Sequence, residues 1–201
     1  MFKRLKELYY HYCGKRRMSE LAKYHSIGIE FCSSPMFRDK YVHIYKNIKL
    51  SGLPGSIKLG NFCNISLSLN IINNGKASIG DYVYMNSGCR FYVSNNLIIG
   101  SHCLFGPSVV IWDSDNHPLD PEERRKHAEK IPYQKLNSFN IGGGNITIYD
   151  NVWIGMEALI LGGVKIGRGS VIAARSVVTQ DIPEMVFAAG APARVIKPIN
   201  A

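Results

Sequence analysis

Ile154, Ile160, Ile166, Ile172 and Val178 stand at a strict step of six through WIGMEALILGGVKIGRGSVIAARSVV. A helix returns to the same face every 3.6 residues or so and a strand every second residue, and neither period by itself produces that spacing. Four residues after the first four of these aliphatics come Ala158, Val164, Ser170 and Ser176, all small or modest in volume, and Gly155 and Gly167 directly follow an aliphatic. The same step links Ile79, Met85, Phe91 and Leu97, resumes after a two-residue shift at Ile99, Phe105 and Ile111, and shows a degraded copy at Leu59, Ile65 and Ile71. Repetition at this period predicts short parallel strands wound coil upon coil. The repeated aliphatic points inward and stacks on its counterpart in the next coil, about 4.8 Å away. Such a solenoid buries its core only through its neighbours, so several coils are required.

This pattern also accounts for three of the five cysteines. Cys63, Cys89 and Cys103 each lie four residues after a repeat aliphatic (Leu59, Met85, Ile99), where a small buried side chain is wanted. The odd count and the absence of a CxxC pair argue against both a disulfide framework and a zinc cluster. The chain of 201 residues suits one domain, and no stretch approaches the run of about 18 apolar residues needed to span a bilayer. MFKRLKELYYHYCGKRR has no uninterrupted apolar segment or small-residue cleavage site, so a cytoplasmic protein is expected. The formal net charge of +9 favours anionic partners. No nucleic-acid module or aromatic stacking motif accompanies it, so nucleic acid is not the expected partner.

The segment DNVWIGMEALILGGVKIGRGSVIAARSVVTQDIPEMVFAAGAPARVIKPI, together with the hexads back to about residue 75, resembles the hexapeptide-repeat acyltransferases. The branch is that of the galactoside, maltose and Nod-factor O-acetyltransferases and the related capsule and O-antigen saccharide modifiers. The most specific piece is the closing VVTQDIPEMVFAAGAPARVIKPI. The resemblance implies an all-β fold: a left-handed parallel β-helix with a long inserted loop and a short N-terminal helical segment. It further implies a homotrimer with active sites between subunits and acetyl-CoA as cosubstrate, with no metal required. With three hexads to a triangular coil, the repeats suggest about six or seven coils. The expected organisation is an N-terminal helical and extended cap at 1–55 and a β-helix domain at 56–201, with an inserted loop at 112–147 and a C-terminal tail at 183–201.

The hexads stop after Ile111 and return only at Ile146 to Ile154, and the intervening segment holds His117, the charged run EERRKH, Tyr133 and a glycine-rich return, NIGGGN. An excursion this long inside a compact repeat is either functional or disordered, and Pro118 and Pro121, which limit the chain's freedom just after the histidine, favour function. In the family the catalytic base lies in an HP dipeptide just after the repeat breaks, and NHPLDP reproduces that context at His117. Acetyl transfer to a sugar hydroxyl requires a group that accepts the hydroxyl proton during attack, and a neutral imidazole does this near pH 7. Its second nitrogen needs an acceptor, for which Asp113, Asp115 or a loop carbonyl are the candidates. By the same resemblance Asn86, with Asp115, belongs to acceptor binding. Trp153, Gly155 and Met156 line the acetyl end of the coenzyme, Ala174 and Thr179 meet its pantetheine, and Arg194 and Lys197 meet its phosphates. Three departures stand out: Met156 replaces a frequent serine, Arg175 a usual glycine, and Tyr149 the glycine of the common IGDNVWIG.

Upstream, Phe2, Leu5, Leu8, Tyr9 and Tyr12 share one side of a predicted amphipathic helix, a second short helix is expected at Met18–Tyr24, and residues 27–55 suggest an irregular first coil. The basic first helix is expected to cap the solenoid, with membrane contact at most peripheral. The N-terminal acceptor-contacting domain of the galactoside and maltose enzymes is not recognisable, so the expectation is O-acetylation of a saccharide of unspecified identity, by direct transfer. Alternatives are N-acetylation of an amino sugar on the same scaffold, a γ-carbonic-anhydrase-like zinc enzyme, and a scaffold without catalysis. The zinc reading needs three gathered histidines, and only His102 and His117 lie in the repeats.

Overall fold

Each coil of the molecule consists of three short strands joined at three corners. The structure is a computed structural model and describes residues 29–31, 43–44, 49–51, 56–130 and 142–200. The first coil holds β1 (Ile29–Phe31), β2 (His43–Ile44) and β3 (Lys49–Ser51); the second β4 (Ile57–Leu59), β5 (Asn64–Ile65) and β6 (Leu67–Ile71). The third holds β7 (Lys76–Ile79), β8 (Tyr84–Met85) and β9 (Cys89–Val93); the fourth β10 (Asn96–Ile99), β11 (Leu104–Phe105) and β12 (Val110–Trp112). The chain then leaves the solenoid, forms helix α1 (Pro121–Lys130), and returns. The fifth coil is β13 (Ile146–Ile148), β14 (Trp153–Ile154) and β15 (Leu159–Leu161), and the sixth β16 (Lys165–Ile166), β17 (Val171–Ile172) and β18 (Val177–Val178).

These strands stack as three parallel faces, β1-β4-β7-β10-β13-β16, β2-β5-β8-β11-β14-β17 and β3-β6-β9-β12-β15-β18. The fold is a left-handed parallel β-helix, an exception to the right-handed crossover rule. A partial seventh turn follows: Ile182 bridges Ile166 on the first face, β19 (Val186–Gly190) extends the second face beyond β17, and β20 (Ala193–Pro198) closes it antiparallel to β19. β1, β2 and β3 continue the three faces upstream of residue 56. The two helices expected near the N-terminus lie outside the described residues, as does Tyr133.

The step of six is explained by three columns of side chains. Ile79, Ile99, Ile148 and Ile166 pair in register down the first face, Met85, Phe105, Ile154 and Ile172 down the second, and Phe91, Ile111, Ile160 and Val178 down the third, all buried. The two-residue shift has a structural cause. Leu97 is not the heir of Phe91 but belongs to a fourth column with Ala77 and Ile146, because β9 and β10 are longer than their counterparts β15 and β16 and add two residues to the path, with only Ser94 and Asn95 between them. The small hexad positions turn inward at the corners as expected. There burial pushes the thiols of Cys63, Cys89 and Cys103 up to about 11, and each thiol faces a carbonyl, such as that of Gly80 at 3.1 Å from Cys63.

Corners repeat as faithfully as strands. At the first, between the first and second faces, Phe62, Tyr82, His102 and Asn151 all take positive φ, between 56° and 61°. The rings of Phe62 and Tyr82 stack at 4.7 Å and those of Tyr82 and His102 at 5.1 Å, which is the coil spacing made visible in side chains. At the second corner Gly88, Ser108, Glu157 and Arg175 share the same left-handed conformation. Carboxylates from one coil cap the backbone of the previous one: Asn61 N–H donates to Asp81 Oδ1 at 2.6 Å, Ser101 N–H to Asp150 Oδ1 at 2.7 Å and Lys165 N–H to Asp181 Oδ1 at 2.8 Å.

Candidate functional site

The excursion leaves and returns at the third corner, between the third and first faces. Its root is Asp113, fully buried, whose two carboxylate oxygens accept the backbone N–H groups of Ser94 at 2.7 Å and Asn95 at 2.8 Å in the coil before. Burial pushes this carboxyl above the ordinary carboxylate range, against the opposing pull of those two N–H groups. The Asp113 carbonyl accepts the N–H of Gly144, so the departing and returning strands meet. Gly143 makes that closure possible: it sits at φ +107°, and a Cβ there would lie 2.1 Å from the Asp113 carbonyl oxygen. Asp113, a candidate partner for the His117 ring, is therefore committed to the solenoid instead.

From this root the chain turns outward. The His117 N–H donates to the Asp115 carbonyl at 2.7 Å across Asn116, itself at φ +60°. Asp115 thus contacts His117 through its backbone, while its carboxylate lies against Gly142. Helix α1 begins immediately after. Asp120 caps it, accepting the N–H of Glu123 on its side chain at 2.9 Å, and Pro121 occupies the first turn, where its missing N–H costs nothing. Arg124 reaches back to the carbonyls of Pro118 at 3.1 Å and Leu119 at 2.7 Å. One turn on, the His127 ring packs against that of His117, centroids 5.2 Å apart and planes inclined at 49°. His117 is exposed; His127 is 7% exposed. Sequence reasoning took EERRKH for a solvated charge run within a loop and missed both the helix and the buried histidine. The DPEE cap and the i, i+3 spacing of Arg124 and His127 were the available signals.

The other predicted residues fall into two groups. Trp153 projects from the second face, 54% exposed, between Leu104 and Val171 of the adjacent coils. Gly155, Met156 and Ala174 follow at the second corner, packed closely enough that a Cβ on Gly155 would lie 2.4 Å from the Ala174 nitrogen. Met156 is exposed, and its carbonyl accepts the Arg175 N–H at 2.8 Å. Asn86 stands at the same corner two coils earlier, half-buried, its Oδ1 accepting the N–H of Ser87 at 2.8 Å. Arg194 and Lys197 are exposed on β20, the outermost strand of the second face. His117 and Thr179, by contrast, stand at the third corner, across the full width of the third face. Within one chain the structure brings Gly155, Met156 and Ala174 together at one corner and places the candidate base, with Thr179, at another. Among the described residues no three His, Cys, Asp or Glu side chains gather as a metal site, and His102 and His117 occupy different corners.

The described helix is not long and apolar enough to cross a membrane. Residues 145–180 match the family described as bacterial transferase hexapeptide (six repeats). The galactoside O-acetyltransferase of Lactococcus lactis is 37% identical over 121 residues, covering 60% of this chain and 52% of that protein, so this chain spans about half the length of that relative. Among solved structures, a hexapeptide-repeat acetyltransferase from Vibrio cholerae, complexed with acetyl coenzyme A, is 29% identical with a TM-score of 0.56, covering 69% of each chain. A maltose O-acetyltransferase from Clostridium difficile is 31% identical with a TM-score of 0.50, covering 73% of this chain and 68% of that one. With its three stacked faces and matching hexads, the chain belongs to the hexapeptide-repeat acetyltransferase family.

Proposed function

We propose that this protein is an acetyl-CoA-dependent O-acetyltransferase acting on a saccharide hydroxyl, with His117 as general base and the active site completed between subunits of a homotrimer. The observation that carries the reading is the placement of His117: an exposed imidazole on a projection rooted at Asp113, whose buried carboxylate binds the preceding coil and whose carbonyl accepts the returning Gly144 N–H, at one corner of a rigid prism. Gly155, Met156 and Ala174 lie at a different corner, while Thr179 shares the corner of His117, so in one chain the candidate base and most of the proposed acetyl end point to different neighbours. Association of identical prisms side by side pairs the His117 edge of one with the Met156 and Ala174 edge of the next, and a ring of three closes this head-to-tail contact.

The residues present fit an extended anionic thioester. Arg194 and Lys197 place two exposed cations on one strand, suited to phosphate oxygens. Ala174 is exposed and carries only a methyl group, which lets a thin arm approach the backbone there. Acetyl-CoA supplies the activated acetyl group. His117 accepts the proton of the attacking hydroxyl and holds it for return to the departing thiolate, while Asn86 and Asp115 orient the acceptor. The cytoplasm is the proposed compartment, consistent with an intracellular cosubstrate.

The test is release of free thiol from acetyl-CoA by the purified protein, screened against hydroxyl and amino sugars that are free, lipid-linked or nucleotide-linked, with mass spectrometry of the product. The expected product is an ester, and His117→Ala lowers turnover by about 10²- to 10⁴-fold. An amide product would replace the reading with N-acetylation. A monomeric protein that neither binds acetyl-CoA nor releases thiol with any acceptor would sink it.

A further inference from the structure

Helix α1 lacks the feature that normally docks a helix. PEERRKHAEK has no apolar stripe, and on its outer side Arg125 pairs with Glu122 at 2.7 Å and with Glu129, neutralising its own charges in solvent. An isolated helix of ten residues is marginal in water. Yet this helix buries one side chain, His127, and directs a second, Arg124, three residues earlier on the same side, onto the segment that carries His117. Its contacts to that segment include the two carbonyl bonds from Arg124 and the ring contact from His127.

We infer that α1 is a positioning element for His117: Arg124 fixes the Pro118 and Leu119 carbonyls, and the His127 ring forms a wall that restricts the rotation of the His117 imidazole. This rests on His117 being the base. A surface imidazole on a short turn samples several rotamers, and an acceptor hydroxyl meets it productively in few of them. Fixing the backbone immediately after the ring and blocking one of its faces removes much of that freedom before substrate arrives. The gain falls on the chemical step, because neither residue lies among those proposed to hold the coenzyme. The wall is the flat ring itself, in contact with that of His117.

The experiment compares His127→Ala, His127→Phe and Arg124→Gln in the full-length protein. Expected for His127→Ala is a kcat lowered by about 10- to 100-fold with the KM for acetyl-CoA changed by less than about twofold. His127→Phe should restore most of the loss, and Arg124→Gln should lie between. Turnover of His127→Ala at the wild-type rate, or His127→Phe as impaired as His127→Ala, overturns the inference. A second readout needs no acceptor: carbethoxylation of His117 by diethyl pyrocarbonate, located by peptide mass mapping. A several-fold faster reaction at His117 in His127→Ala, reversed in His127→Phe, supports the wall; equal rates in all three proteins overturn it. Should no acceptor be acetylated even by the wild type, the enzymatic reading fails while this second readout still decides the role of α1.

Discussion

The coils and the excursion solve opposite problems. In the coils every inward side chain is covered twice, by its own turn and by the turns above and below, so Ile99, Phe105, Ile111 and their column partners are almost wholly removed from water. In the described part of the excursion a ten-residue helix buries one side chain, and its described anchors include a cap, an arginine and the pinned root. Redundant burial makes the prism rigid. Sparse polar anchoring makes the excursion cheap to remodel, so that stability and chemistry reside in physically separable parts of one chain.

The sharpest way to break this comparison is to damage each part and look for the effect in the other. His117→Ala should cost the activity described above while moving the melting temperature hardly at all, because an exposed loop side chain contributes within about 0.5 kcal/mol. Phe105→Ala should do the reverse. Phe105 is 1% exposed, with its ring 5.7 Å from that of Phe91, and truncating such a residue costs about 3–5 kcal/mol. Thermal denaturation of the two variants beside thiol-release assays checks both. A large melting shift in His117→Ala would show that the excursion supports the coils.

Asp113 is where the two parts meet, and it should be the one residue whose loss registers in both assays. Asp113→Ala leaves the N–H groups of Ser94 and Asn95 without their acceptor and frees the root of the excursion, for a stability cost of about 2–4 kcal/mol together with reduced turnover. Its titration has a definite sign. A carboxyl whose folded pKa is raised holds its proton more tightly in the folded than in the unfolded state, so stability falls as pH rises from its ordinary range toward the raised value. Asp113→Asn lacks this proton, so the advantage of the wild type over Asp113→Asn should shrink as pH is raised through that window. A denaturant series at several pH values measures the gap.

What was legible in the sequence follows the same division. The hexads at Ile154, Ile160, Ile166, Ile172 and Val178 disclosed the coils because a stacked core repeats its demands on sequence, and the burial of Cys63, Cys89 and Cys103 came with them. The slip at Leu97 was visible, but its meaning was not, since only the register shows that Leu97 pairs with Ala77 at the start of a longer strand. In the excursion nothing repeats. His117 was singled out through the HP context alone, and Asp113 stood as one of three candidates to orient it because an aspartate four residues from a histidine in sequence gives no hint that its oxygens turn back to the preceding coil. His127 was passed over because burial of a lone polar ring leaves no periodic trace.

The smallest expected effect concerns Arg175, the departure from the family glycine. Its φ of +59° places it in the left-handed ladder of the second corner, where a side chain strains the backbone and glycine does not. Against that strain stands a single ion pair, Arg175 Nε to Glu157 Oε2 at 2.7 Å, with side chains 76% and 42% exposed. Pairs so exposed are weak and screened by salt. The two contributions oppose each other, and the backbone contribution does not vary with ionic strength. Arg175→Gly should therefore leave the melting temperature unchanged or slightly raised at low salt, with the difference from wild type shifting modestly in favour of glycine as salt is added. A clear loss of stability at every salt concentration would mean that the second corner depends on the Arg175 side chain in a way its exposure conceals, and the coils would then be less uniformly self-supporting than their columns imply.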